Sequence, residues 1–144
     1  MSRAVAVDLG ERRIGVAVSD GAGTMAFPRP MIERRGDRAA EHRAIAEVVA
    51  ESEAGVVVVG LPLSLDGRMG PAAKGARAEA DELAVALAAR PDTAGARVET
   101  FDERLTTVSA TAALAQAGKR GTARRRSVDS AAAAVLLQAW LDGR

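Results

Sequence analysis

The chain has 144 residues, a formal net charge of +1, no cysteine, 48% apolar residues and 2% aromatic residues. That length suits one domain (residues 1–144) with a sizeable core, while near-neutral charge excludes a general polyanion sponge and missing cysteine excludes disulfides and thiolate metal sites. The scarcity of aromatics (Phe27, Phe101 and Trp140) argues against a base-stacking platform as the main mode of nucleic-acid binding.

The N-terminus enters a strand directly, with no signal-peptide apolar core, and no apolar stretch is long enough to cross a bilayer. The expectation is a cytoplasmic protein with no membrane partner.

Ala4 to Val7 form an apolar run of the kind that fills a strand buried on both faces, and Asp8 ends it. The turn at Gly10 leads to a second apolar strand over residues 14–18. So short a connection predicts an antiparallel hairpin. A third strand, residues 24–33, carries Pro28 and Pro30, which remove ladder donors and place it at a sheet edge. Residues 38–52 follow with Ile45, Val48 and Val49 at helical spacing, and Gly55 is read as the stop. A near-continuous valine run, residues 56–61, is a second strand buried on both faces. A helical crossover places it parallel to the first.

Residues 62–70 read as a loop, and Pro71 opens a helix that runs to about residue 90 with Ala76, Ala80, Leu83 and Leu87 on one face. Residues 96–101 form the last strand. Thr106 or Thr107 is placed to cap a helix ending near Ala117. Residues 119–127 lack apolar periodicity and read as a mobile basic loop before a final helix over residues 128–141. This order predicts a five-stranded mixed sheet, antiparallel through strands 1–3 and parallel through strands 1, 4 and 5. With helices on both faces, it is the element order of the ribonuclease H-like α/β fold.

Acids stand at three element ends on this plan. Asp8 ends the first strand, Asp102 and Glu103 end the last, and Asp129 opens the final helix. Parallel strands share their C-terminal edge, so Asp8 and Glu103 fall on one side of the sheet. Asp129 shares a helical face with Ala132, Ala133, Leu136 and Trp140, the face read as packing on the sheet. Converging acids repel and hold protons unless a cation sits among them, and hard oxygen donors suit Mg²⁺ or Mn²⁺. Paired ions of that kind activate a water and stabilise the leaving oxygen of a phosphodiester.

Taken singly, each acid has an ordinary structural role: Asp8 as a turn cap, Asp129 as a helix N-terminal acid, and Asp102 and Glu103 with Arg104 as a local charge cluster. Arg13 is either a structural partner of Asp8 or Glu103 or a phosphate ligand. For Arg104 the structural role is favoured. Lys119, Arg120, Arg124, Arg125 and Arg126 are a solvated basic segment or, near the acids, a clamp for a nucleic-acid backbone. His42, flanked by Glu41 and Arg43, reads as a surface residue.

Four motifs in order carry a family resemblance. Asp8-Leu9-Gly10 with Arg13 to Asp20, Gly60-Leu61-Pro62-Leu63 with Asp66-Gly67, Asp102 to Thr107 with Ala110, and Val128 to Ala133 with Leu136-Leu137-Gln138 together resemble the YqgF family, also called RuvX. The resemblance covers nearly the whole chain. It implies a ribonuclease H-like, metal-dependent nuclease associated with processing the 5′ end of the 16S rRNA precursor, and also described as Holliday-junction resolvase-like. It assigns the catalytic, metal-binding acids to Asp8, Glu103 and Asp129, and it favours Glu103 over Asp102 as the acid facing the metal. Gly10, Asp102 and Arg104 are then supporting residues. Ala80 replaces a common aromatic, and Glu11 adds an acid to the first turn.

Other readings compete. An Asp-x-Gly strand end also opens actin-like ATPases, but one domain of this length does not supply both walls of their nucleotide cleft. A nucleic-acid-binding module without turnover would make the acids incidental. Within the nuclease reading, precursor RNA, with ribosomal particles as a possible partner, stands against branched DNA. The latter would suit a two-fold dimer, and the sequence leaves monomer or homodimer open.

Overall fold

The computed structural model describes residues 3–106 and 122–144, and the side chains of 122–129 lie outside the described set. Strands β1 (Ala4–Leu9), β2 (Arg13–Ser19) and β3 (Ala26–Glu33) form an antiparallel meander. Helix α1 (Arg38–Ser52) crosses to β4 (Val56–Leu61), and α2 (Pro71–Ala88) crosses to β5 (Arg97–Asp102). A 3₁₀ turn (Glu103–Thr106) follows β5, and the final helix, α3, spans Thr122–Asp142. The sheet order is β3-β2-β1-β4-β5, with β1 parallel to β4 and β4 parallel to β5. This is the expected arrangement, with the proline-bearing strand outermost.

The strand alternation divides the core into two layers. Val5, Val7, Val57 and Val59 pack with Ile45 and Val49 of α1 and with Leu83 and Leu87 of α2. On the other face Ala4, Ala6, Ala17, Val56 and Val58 meet Ala133, Leu136, Leu137 and Trp140 of α3. Small residues on that face let α3 lie close to β1 and β2. Ala132, expected on the same helical face, is exposed. The buried stripe passes instead through Ser130, Ala133, Leu136 and Leu137.

Two boundaries differ from expectation. Helix α1 stops at Glu53, which takes the left-handed conformation (φ 55°) and donates its N–H to the Ala50 carbonyl. Gly55 instead joins strands, donating to the Arg3 carbonyl (3.0 Å) and accepting from the Arg97 N–H (3.1 Å). Residues 122–127, expected in a loop, are the first turns of α3. Arginine is a good helix former, and extending an existing helix costs little compared with nucleating one. The helix expected from Thr106 or Thr107 to Ala117 falls outside the described residues after Thr106, whose hydroxyl donates to the Glu103 carbonyl (2.7 Å).

His42 is not on the surface. It is 5% exposed and sits between α1 and α2, its Nε2 2.8 Å from Glu79 Oε2. Arg34 closes the cluster, donating to Glu41 Oε1 (3.2 Å) and Glu79 Oε1 (2.9 Å). Burial pushes the Glu79 carboxyl up, but hydrogen bonds from Arg34 and His42, with the charges of Arg34 and Arg38, outweigh it and hold it below its usual range. Among the described residues, no helix is long and apolar enough to cross a membrane.

Candidate active site

Asp8 lies near the end of β1, opposite Gly15 of β2. The parallel register of β1 and β4 runs up to Val7 and Val59, so the next step sets Asp8 beside Gly60. Gly60 in turn pairs with Phe101, and Leu61 pairs with Asp102. The 3₁₀ turn that begins at Glu103 carries its side chain back across Gly60. A Cβ added to Gly60 would lie 2.8 Å from Glu103 Oε1 and 3.0 Å from its Cγ. The missing side chain on β4 is therefore the space that the Glu103 carboxyl occupies.

In that space Glu103 hydrogen-bonds to Asp8. Two carboxyls can share such a bond only when one keeps a proton. Burial, the Asp8 charge, the bond to Asp8 and the Asp102 charge all favour the protonated form, and Glu103 is pushed up to about 7.

Asp102 is held differently. Arg104 grips it through Nη2 (2.6 Å) and Nε (3.0 Å), and the Arg104 backbone N–H donates to Asp102 Oδ1 (2.9 Å). The Arg104 side-chain hydrogen bond holds the Asp102 carboxyl below its ordinary range. Arg104 also donates to the Leu65 carbonyl (3.2 Å), and so ties the end of β5 to the loop after β4. Of the two neighbouring acids, Glu103 meets Asp8 and Asp102 anchors this tie.

The β1–β2 turn is shaped by Gly10. Its N–H donates to the Arg13 carbonyl (3.0 Å), and a Cβ there would lie 2.6 Å from that same oxygen. Any larger residue would open the turn that follows Asp8. Arg13 Nε lies 3.8 Å from Glu33 across the β2–β3 pair, a partner that the sequence did not indicate. Glu11 lines an open cavity of about 300 Å³ with Arg34, Gly36, Arg38 and Glu41.

Helix α3 is pinned over the same end of the sheet. The β2–β3 register shifts between Ile14 and Val16. At that irregularity the Val16 N–H donates to the buried Ser130 Oγ (3.3 Å). Val16 is the residue after Gly15, the partner of Asp8, so the backbone of residue 129 comes down near the acid pair. The side chains of Asp129, Arg124, Arg125 and Arg126, together with Lys119 and Arg120, fall outside the described residues. Among the described residues no group of three His, Cys, Asp or Glu side chains gathers as a metal site, so the contact seen is the Asp8–Glu103 pair.

Sequence reasoning passed over Gly60 and Ser130 as individual residues, although both stand in quoted motifs. A lone glycine in the run Val56–Leu61 was the available signal for Gly60.

The chain matches the family described as RuvX: Holliday junction resolvase over residues 2–143. It belongs to the RuvX family. A Mycobacterium ulcerans protein named "Putative pre-16S rRNA nuclease" is 46% identical over 143 residues, covering 99% of this chain and 79% of the relative. An Anaeromyxobacter protein of the same name is 44% identical over 142 residues, covering 99% of this chain and 98% of the relative. Among solved structures, T. thermophilus RuvC in complex with a Holliday junction substrate superposes with a TM-score of 0.65 at 16% identity, covering 96% of this chain and 92% of that one. That likeness shows that this RuvX chain shares the RuvC fold.

Proposed function

We propose that this chain is a divalent-metal-dependent phosphodiester hydrolase, acting in the cytoplasm on the 5′ end of the 16S rRNA precursor. The observation that carries the reading is the Asp8–Glu103 contact over Gly60, where four influences all favour a proton on Glu103. Two carboxyls in contact, one of them favoured to hold a proton, are hard oxygen donors that fit a hard dication. The names of the relatives from Mycobacterium ulcerans and Anaeromyxobacter support the RNA substrate.

In this reading Asp8, Glu103 and Asp129 hold Mg²⁺ or Mn²⁺. When bound, the metal supplies an activated water and charge stabilisation of the leaving oxygen. Glu103 gives up the shared proton on loading, and affinity therefore rises with pH. Gly60 and the Arg104–Asp102 pair keep the Glu103 carboxyl on Asp8. Gly10 sets the turn that presents Asp8 and Arg13. Arg13, Lys119, Arg120, Arg124, Arg125 and Arg126 hold the substrate backbone, with ribosomal particles as the setting in which the precursor is met.

The test is cleavage of a labelled precursor-leader RNA beside a four-way DNA junction, with Mg²⁺, Mn²⁺ or EDTA. Metal-dependent cutting of the RNA, abolished by Asp8→Asn, Glu103→Gln or Asp129→Asn while the fold persists, is the expected result. Selective cutting of the junction by a two-fold dimer would replace the RNA substrate with branched DNA, the reading that the family description favours. Tight binding without cutting under every metal condition would overturn the enzyme in favour of a binding module.

A further inference from the structure

Two large aliphatic side chains stand out into solvent at the site. Leu65 is 96% exposed and Leu105 is 65% exposed. Leu105 comes two residues after Glu103, and Leu65 lies in the loop that leaves β4 just past Gly60. Both are held on rigid supports. The loop closes on itself through Gly67 N–H to the Ser64 carbonyl (2.8 Å) and Ser64 N–H to the Arg68 carbonyl (3.1 Å), with Gly67 in the left-handed region (φ 86°). Asp66 accepts from the Arg68 N–H (3.1 Å), and Arg104 donates to the Leu65 carbonyl itself (3.2 Å). The same Arg104 grips Asp102 and immediately precedes Leu105. One guanidinium thus fixes both leucine-bearing segments beside the acid pair.

We propose that Leu65 and Leu105 form an aliphatic wedge that takes the face of an unstacked base flanking the scissile phosphate. The proposal rests on the nuclease reading and names its specificity element. Both leucines stand on segments that leave β4 and β5 at the acid-bearing edge of the sheet, the edge that a strand must approach for its phosphate to reach Asp8 and Glu103. Leucine is among the residues that wedge between base steps, and the unstacking it must offset costs a few kcal/mol. The aromatics are committed elsewhere: Phe101, opposite Gly60, packs into the core layer under α3. Trp140 is buried under the sheet, and the half-exposed Phe27 pairs with Val18, at the opposite end of β1 and β2 from Asp8. The wedge makes the enzyme prefer a cut site whose flanking nucleotide is unpaired or easily unpaired.

The test places 2-aminopurine next to the cleavage position and reads its fluorescence on binding to Asp8→Asn protein, which leaves the strand intact. Fluorescence should rise as the base leaves the stack. The rise should be lost when Leu65→Ser and Leu105→Ser are added. In the otherwise native protein the double variant should cut a substrate paired at that nucleotide about tenfold more slowly, and a substrate already unpaired there at nearly the normal rate. Leu65→Ser alone, at an almost fully exposed position, gives the same direction of effect without disturbing the fold.

A fluorescence rise that survives both substitutions overturns the wedge. Equal slowing on paired and unpaired substrates overturns it as well. Serine variants that keep the rise and the cutting but lose association with ribosomal particles would assign the leucines to a protein contact and overturn it. If the native protein cuts nothing, the nuclease reading fails and the wedge falls with it, whereas cutting with no fluorescence rise overturns the wedge alone.

Discussion

Gly60 and Glu103 are complementary: the carboxyl of Glu103 stands where a side chain on Gly60 would begin, with Oε1 2.8 Å from an added Cβ. The neighbouring strand supplies the acid, and β4 supplies the room for it. Gly60→Ala should therefore fold normally, because alanine is tolerated in a strand at least as well as glycine. It should push Glu103 off Asp8 and weaken Mg²⁺ or Mn²⁺ affinity about 10- to 100-fold, the range for groups that orient metal ligands. Metal titration by calorimetry at fixed pH checks this. Unchanged affinity would mean that the Glu103 side chain has another route to the site.

The raised proton affinity of Glu103, about 7 against an ordinary 4.5, makes metal-free stability depend on pH. The folded state holds this proton more tightly than the unfolded chain. The stabilisation is complete below the unfolded value and is lost as pH rises through the folded one. Glu103→Gln should therefore be more stable than the native protein at pH 8 without metal, and the difference should close towards pH 5. Because the group is only partly buried, solvent screens the gap to about 1–2 kcal/mol. Saturating Mg²⁺ should reverse the order, since only the native protein gains a ligand. Denaturant curves at both pH values, with and without metal, measure all four cases.

The sheet was legible because its signals are local. The run Val56–Leu61 needs no partner to be read as a strand buried on both faces, and Pro28 and Pro30 mark the edge by themselves. The acids at strand ends were legible for the same reason, since strand direction alone puts Asp8 and Glu103 on one edge. What escaped depends on contacts made at a distance. His42 looks like a surface residue among charged neighbours, because its partner Glu79 lies 37 residues further on in another helix. The family motif favours Glu103 over Asp102, but periodicity alone leaves that choice open, because the 3₁₀ turn and the Arg104 contact that separate the two acids have no periodic signature. Arginines 124–126 carry no apolar stripe, so no periodic pattern marks the helix they open.

The Arg34 cluster is a strong test of buried charge in this fold. Its side chain is 13% exposed, and those of Glu41 and Glu79 are 7% and 6% exposed. Its Nε finds no acceptor among the described residues, so the cluster is not a perfect network. Arg34→Ala would leave two carboxylates buried without their shared cation, at a cost of about 3–5 kcal/mol. Arg97→Ala removes an exposed pair (Arg97–Glu99, 2.7 Å) and should cost under about 1 kcal/mol. Unfolding midpoints of the two variants compare them directly. The cluster should also weaken in acid. The Glu79 carboxyl is held below its usual range, so its contribution is present above that range and is lost as pH falls through the folded value, opposite in sign to Glu103.

The first turns of α3 carry Arg124, Arg125 and Arg126 in consecutive positions. Consecutive helical residues point about 100° apart, so one straight phosphate track cannot engage all three equally. If the helix meets a backbone, two of them should carry most of the contact. Replacing all three by alanine should weaken binding across sequences. It should flatten the slope of log affinity against log salt by between about 1 and 2 units on single-stranded RNA, given roughly 0.7 per phosphate contact. The helix should persist, since alanine is the better helix former. Filter-binding titrations over a range of salt concentrations, with circular dichroism on the same samples, check both halves. An unchanged slope with an intact helix would take these arginines out of the interface and leave backbone contact to Arg13 and to residues 119 and 120.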